Sequence, residues 1–335
     1  EYMDALYSAL ATLPALESLI FLNTGRQARP EDESTIINHE NLTELLRVSS
    51  LRSVRFDSFS FTPALCEATA NALMKGTAVT KLDFRECSFS VEASIAMMTR
   101  GLTRNTSVTS ISVQNDNDRA LFSALAAMLP SNPTLRHLEL DQEVAMRRDD
   151  VPDIDAHLPQ VFSALGKNTG LNTLSVDVGN SMDESLCTAM KYGLEMNKTL
   201  ESLEFLNVPL LDESTALGCR AFSFLRTNKT FKSLLVTVYA GATESSLSTL
   251  CCDIAAMLQE NASLETLSIR SYNTSKAEDY VALITSLQQN TTLKILQNEI
   301  YESLRLTDEE DKDIAAILKK NYALESLPRI FSLGD

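Results

Sequence analysis

The chain of 335 residues reads as an α/β solenoid, a stack of units that each contain a short strand, a turn and a helix. Three observations predict it. A phrase keeps returning; a leucine and an asparagine hold fixed places in it; and its apolar spacing changes from helical to alternating part-way along. The phrase is plainest at 194–205 (LEMNKTLESLEF) and returns at 258–269 (LQENASLETLSI) and 225–236 (LRTNKTFKSLLV). Looser copies stand at 102–113, 129–140 and 165–176.

Each repeat can be indexed by the first apolar residue of its strand: Leu16, Leu51, Val79, Val108, Leu135, Leu171, Leu200, Phe231, Leu264, Leu293 and Leu324. The spacings are 35, 28, 29, 27, 36, 29, 31, 33, 29 and 31. Six residues before every index position stands a leucine, from Leu10 to Leu318. Three residues before it, in the last eight repeats, stands an asparagine: Asn105, Asn132, Asn168, Asn197, Asn228, Asn261, Asn290 and Asn321.

Pairs such as Ile254 and Leu258, or Leu125 and Leu129, lie four apart and share one face of a helix. The asparagine follows the last helical turn, where a residue that tolerates left-handed dihedrals can end the helix. The Leu-x-x-Leu-x-Leu run then sends alternate side chains inward, as a half-buried strand requires. A strand and a helix in roughly 29 residues cannot bury their own apolar face, whereas stacked copies can.

This pattern resembles the leucine-rich repeat family, in the longer, helix-bearing class typified by ribonuclease inhibitor, over essentially the whole chain. The resemblance implies a curved, horseshoe-like solenoid of ten to eleven repeats, with parallel strands on the concave side and helices on the convex side. One position departs from the family. Where it carries Asn or Cys just past the strand, only Cys87 conforms; Phe59, Asp116, Glu143, Gly179, Val208, Tyr239, Tyr272 and Tyr301 stand at the other sites. An irregular turn ladder is expected there.

Residues 1–335 read as one such domain, since a solenoid grows by adding units. Met3, Leu6 and Leu10 already occupy the helix positions ahead of Leu16, so the chain reads as a piece excised from a longer one. Residues 327–330 read as a last strand with little after it. Two poorly capped ends predict end-to-end self-association. No apolar run reaches the ~18 residues that span a membrane, and the start does not resemble a signal peptide.

Cys66, Cys187 and Cys251 fall at one helix position of three different repeats and are expected to fill the core. Thiols of that kind favour a reducing, cytoplasmic setting. Five Asn-x-Ser/Thr triplets, at Asn105, Asn197, Asn228, Asn261 and Asn290, coincide with the helix-ending turn and are read as structural. Asn41 and Asn273 fall outside that register and are the fairer test of glycosylation.

Against 45 acidic residues the chain sets 29 lysines and arginines, a net charge of −16. No basic stripe suits nucleic acid; long-range attraction favours a protein partner with a basic surface. The third, fifth and seventh residues of each repeat face outward on the strands. They place basic-leaning Arg55, Lys81 and Arg85, with Asp57 and Asp83 among them, ahead of an acidic stretch at His137, Glu139, Asp141, Asp177 and Glu204, with Arg270 beyond. Such a gradient can orient an elongated partner.

Two insertions extend the rims, one carrying Gly25, Arg26, Arg29 and Pro30, the other a charged run with Arg147 and Arg148. Residues 307–313 (TDEEDKD) read as a capped helix start.

Nothing points to catalysis. The histidines His39, His137 and His157 have no metal-ligand spacing, no glycine-rich phosphate loop or Gly-x-Ser-x-Gly elbow occurs, and no cofactor is expected. The expected function is a protein-interaction scaffold that binds through the concave strand face and its rim loops. Resemblance to the repeat arrays of Ran GTPase-activating proteins and tropomodulins implies an alternative, regulation of a small GTPase or of actin. A third reading is a secreted receptor ectodomain.

Overall fold

A computed structural model of the chain describes residues 2–22, 37–89, 92–114, 119–141, 157–178, 184–208, 222–238, 244–271 and 277–300, with isolated positions from 312 to 326. The chain divides into two compact units, Glu1–Leu171 and Asn172–Asp335. In each, strands and helices alternate and the strands form a parallel sheet, the arrangement of a leucine-rich repeat solenoid.

The first unit orders its main strands β1 (Ser18–Leu22), β2 (Ser53–Asp57), β4 (Lys81–Arg85), β6 (Ser110–Gln114) and β7 (His137–Asp141) in sequence order. Between them run helices Pro63–Lys75, Glu92–Arg104 and Arg119–Met128, and two short strands, β3 (Ser60–Phe61) and β5 (Ser88–Phe89), pair as a second small sheet. Register follows the repeat: Ser18 pairs with Ser53, Ser53 with Lys81, Lys81 with Ser110 and Ser110 with His137. Equal places in consecutive repeats therefore lie side by side, about 4.8 Å apart.

The inward residues of these strands are nearly all buried, and on the three adjacent strands β1, β2 and β4 they include Phe21, Phe56 and Phe84. Phe56 stacks on Phe21 at 5.2 Å and on Phe84 at 5.6 Å between ring centroids. Phe59 and Phe61 meet Phe56 at an angle, and Phe61 stacks on Phe89 at 4.8 Å. Helix Pro63–Lys75 starts from Thr62, whose hydroxyl accepts the Leu65 N–H, and Pro63 suits the first helical position. Its neighbour approaches so closely that a Cβ on Gly101 would meet Ala70 Cα at 2.6 Å. Only glycine fits that crossing.

The second unit orders β8 (Thr173–Asp177), β9 (Ser202–Val208), β10 (Ser233–Val238), β11 (Thr266–Ser271) and β12 (Ile295–Ile300). Helices Glu184–Met196, Glu244–Glu260 and Ala277–Ser286 and the single turn Ser223–Arg226 lie between them. Ser326 bridges Ile295 in the same parallel sense, as the repeat indexed at Leu324 requires. The core here is aliphatic, with Leu174, Leu203, Leu234, Leu267 and Leu296 in one buried column.

The asparagines do not end their helices in a left-handed turn. Outside glycine, positive φ occurs among the described residues only at Ser58, Glu86 and Asn207. At the one indexed site with a glycine, Gly76, φ is positive at 89°, with ψ of 128°. The asparagines from Asn105 to Asn290 instead bury their amides, and Asn321 does so in part. Asn168 Oδ1 accepts the N–H groups of Gly170 and Leu171 at 3.0 and 2.7 Å, while its Nδ2 donates to the carbonyls of Leu129 and Asn132 in the preceding repeat. Asn261, Asn290 and Asn321 make the same four bonds, and Asn105 and Asn132 most of them. The carbonyl donated to belongs to the leucine six before the index of the preceding repeat, so each such asparagine ties its turn to the last helical turn one repeat back.

Of the two expectations about glycosylation, one holds and one changes. The five in-register Asn-x-Ser/Thr triplets have buried asparagines, 1–9% exposed, as a structural role demands. Asn41, taken as the fairer glycosylation test, is also buried (8%), and its N–H is held by Asn38 Oδ1 at 2.8 Å. Asn273 lies outside the described residues, as do both insertions, residues 327–330 and most of 307–313. Cys66, Cys187 and Cys251 are buried as expected.

The turn ladder past the strands is regular where Cys87 sits and irregular later. Ser58 and Glu86, both left-handed, donate across to Arg85 O and Gln114 O, and the Cys87 thiol donates to Phe56 O at 3.4 Å. In β9 an extra residue, Asn207, takes φ of 50° and shifts the pairing so that Val208 lies beside Val238. That is a bulge.

Candidate functional site

The outward strand residues of the first unit form a lattice of three rows. The second row runs Ile20, Arg55, Asp83, Ser112, Glu139 and the third Leu22, Asp57, Arg85, Gln114, Asp141, while Lys81 and His137 lie in the first. In this lattice charge is paired sideways. Arg55 Nε donates to Asp83 Oδ2 at 2.7 Å, and Arg85 Nε approaches the same oxygen at 3.3 Å. The Asp83 side chain is 4% exposed, those of Arg55 and Arg85 34% and 39%. Asp83 faces outward by register, yet two guanidinium stems cover it. At one end of the lattice Ile20 and Leu22 are exposed, 55% and 53%; at the other, Gln114 donates weakly to Asp141 Oδ2 at 3.5 Å.

The outward face of the second unit is quieter. Hydroxyl and aliphatic residues, among them Ser202, Leu235 and Thr266, fill most of it, and Ser175, Thr237 and Ser268 are buried by their neighbours. Glu204 and Arg270 remain partly exposed. Asp177 does not: it is fully buried, and Asn207 Nδ2 donates to its Oδ2 at 2.8 Å from the bulge. It therefore cannot belong to an exposed acidic surface.

Charge in this unit collects just ahead of the strands, where Glu201, Lys232, Glu265, Lys294 and Glu325 occupy equal places in successive repeats. Glu265 meets Lys294 Nζ at 2.6 Å and Lys232 Nζ at 3.5 Å. The bond from Lys294 holds the Glu265 carboxyl below its ordinary pKa, and the same bond raises the Lys294 ammonium above its own. Both groups lie at the surface.

Of the residues singled out in the sequence, the structure brings Arg55, Asp57, Lys81, Asp83 and Arg85 together, with His137, Glu139 and Asp141 on β7, two strands beyond β4. Glu204 and Arg270 belong to the second unit, and Asp83 and Asp177 are buried. Arg147 and Arg148 are outside the described residues. Sequence reasoning passed over Ile20 and Leu22 as members of the site, although their outward places in an otherwise polar pattern mark them. Among the described residues no group of His, Cys, Asp and Glu could hold a metal ion, and no helix is long and apolar enough to cross a membrane.

No protein-family model matches the chain, and no curated protein matches its sequence. Among solved structures, the actin-binding site 2 of leiomodin-1 is similar with a TM-score of 0.37 and 14% identity, over 51% of this chain and 91% of that one. Rad7, in the yeast complex of Rad7 and Elc1, scores 0.39 at 14% identity, over 86% of this chain and 78% of that one. Likeness of this order is no basis for assigning a partner.

Proposed function

We propose that the chain is a protein-interaction scaffold of the ribonuclease-inhibitor-like class, working in the cytoplasm by binding and without catalysis, and that its partner lies on the outward strand face. The observation that carries this reading is the lattice of the first unit. In the first unit the inward strand side chains are nearly all buried, while the outward side offers ordered charged side chains and two exposed aliphatic ones within a few strands. Solvated strands need charge for solubility, but they do not need Ile20 and Leu22 in the open. The net charge of −16 supports a partner whose wider surface is basic.

The test is capture of partners from lysate by the wild-type chain beside Arg55→Glu/Arg85→Glu and Glu139→Lys/Asp141→Lys variants, each first shown to be folded by circular dichroism. Asp177 is unsuitable for such a variant because it is buried. Loss of the same partner from either variant supports binding on this face. Retention by both moves the site to the rims or the helix side and ends the reading.

A further inference from the structure

The cluster around Asp83 is unbalanced in a way that points outward. Two arginines share one buried carboxylate, Arg55 at 2.7 Å and Arg85 at 3.3 and 3.4 Å from its oxygens. Both use Nε, the inner edge of the guanidinium. The terminal N–H groups, four on each arginine, have no protein acceptor among the described residues. Asp57, beside Arg85 in the register, makes no ion pair with either arginine among the described residues; its Oδ1 accepts from Ser58 Oγ at 3.2 Å. Lys81, exposed in the neighbouring row, adds a further cation. Like charges held side by side on adjacent strands repel unless an anion lies between them. Asp83 supplies that anion from below. Nothing described supplies it from above.

The arrangement is also preorganised. A guanidinium pinned through Nε has lost most of the rotamer freedom that a free arginine gives up on binding, so its remaining fork meets a carboxylate or phosphate at lower cost. Next to it on β1 stand Ile20, in register with Arg55, and Leu22, in register with Asp57. These are apolar groups more than half exposed on a surface that is otherwise polar. From Leu22 to Arg85 is two strand spacings, roughly 10 Å.

We propose that Ile20, Leu22, Arg55 and Arg85 form one bipartite docking site for a partner-protein segment whose anionic side chain stands roughly 10 Å from an apolar one. The anion bridges the outer forks of the two arginines and the apolar side chain covers Ile20 and Leu22. The inference rests on the strand-face reading above and deepens it. An acidic contact at this point is compatible with a partner that is basic elsewhere, and the two together fix its direction along the sheet.

The experiment pans a random phage-displayed peptide library against the full chain, resynthesises the enriched peptides, and measures their affinity by titration calorimetry. Peptides carrying an acidic residue near an apolar one are expected. Their affinity should fall at least about tenfold for Arg55→Gln/Arg85→Gln, the size of a lost charge-assisted contact. It should fall similarly for Ile20→Ser/Leu22→Ser, a pair whose exposure leaves the fold intact. Glutamate and phosphoserine versions of one peptide distinguish a carboxylate from a phosphate as the anion. Basic peptides, peptides indifferent to both double variants, or a library with no enriched binder overturn the proposal. If binding is instead lost on Glu139→Gln, the strand-face reading stands and this site falls; if every strand-face variant binds normally, both fall.

Discussion

The two units write the same repeat with different vocabularies. In the first, Phe21, Phe56 and Phe84 stack through the sheet and Phe59, Phe61 and Phe89 extend the stack beneath it. In the second, the only described ring pair is Phe205 with Phe222, and Val176, Val236 and Ile269 stand at the other equivalent places. Outward, the first unit carries a paired charge lattice on its strands, while the second carries hydroxyl and aliphatic residues there and moves its charges to the strand approaches. What the units share, from Asn105 onward, is the asparagine amide bound to the preceding repeat. The comparison teaches that core filling and face chemistry vary around a repeat whose strand register stays the same.

The largest expected effect breaks the aromatic half of the comparison. Phe56→Ala should cost about 3–5 kcal/mol in urea unfolding. Phe205→Ala should cost less, because Phe205 makes one ring contact against four for Phe56, and such contacts contribute about 0.5–1.5 kcal/mol each; equal losses would mean that the stack adds nothing beyond burial. Next comes the shared ladder. Asn168→Ala and Asn261→Ala each strip two buried N–H groups of their acceptor, so both should lose about 2–4 kcal/mol by the same measurement. A large difference between them would end the claim of equivalence. Gly101→Ala, forced against the Ala70 backbone, should cost about 1–3 kcal/mol. Ile20→Ser/Leu22→Ser should change stability by no more than about 0.5 kcal/mol.

The smallest effect concerns pH. Glu265 is depressed, so its contribution is present above its unfolded pKa and disappears as pH falls through the lower folded one. Lys294 is raised, so its contribution is present below its unfolded pKa and disappears as pH rises through the higher folded one. Thermal melts of Lys294→Gln and wild type should therefore differ at neutral pH and converge in acid. The gap should be slight, because both groups are solvated.

Strand and helix positions were legible because the repeat prints them eleven times, and burial of Val54, Phe56, Leu82 and Phe84 follows directly from Leu-x-x-Leu-x-Leu. The role of the asparagines was not. Residue type and place suggested a left-handed cap, whereas bonding to a carbonyl some 30 positions back is invisible until repeats stack. Burial of Asp83 and Asp177 was hidden for a related reason: alternation tells which way a side chain points, not whether its lateral neighbours cover it. The Arg55–Asp83 pair could have been read, since both are fifth in their repeats and consecutive repeats pair in register. The bulge at Asn207 could not, because one added residue looks like ordinary variation in repeat length.

The central claim is that the outward strand face of the first unit is where a partner sits. Its most direct test is a photo-crosslinking amino acid placed in living cells at Gln114, on that face, and in parallel at Thr188, exposed on helix Glu184–Met196. The account predicts a discrete crosslinked partner from Gln114 that disappears with Arg55→Glu/Arg85→Glu, and none of the same mass from Thr188. The same partner crosslinked from Thr188 and not from Gln114 would contradict it.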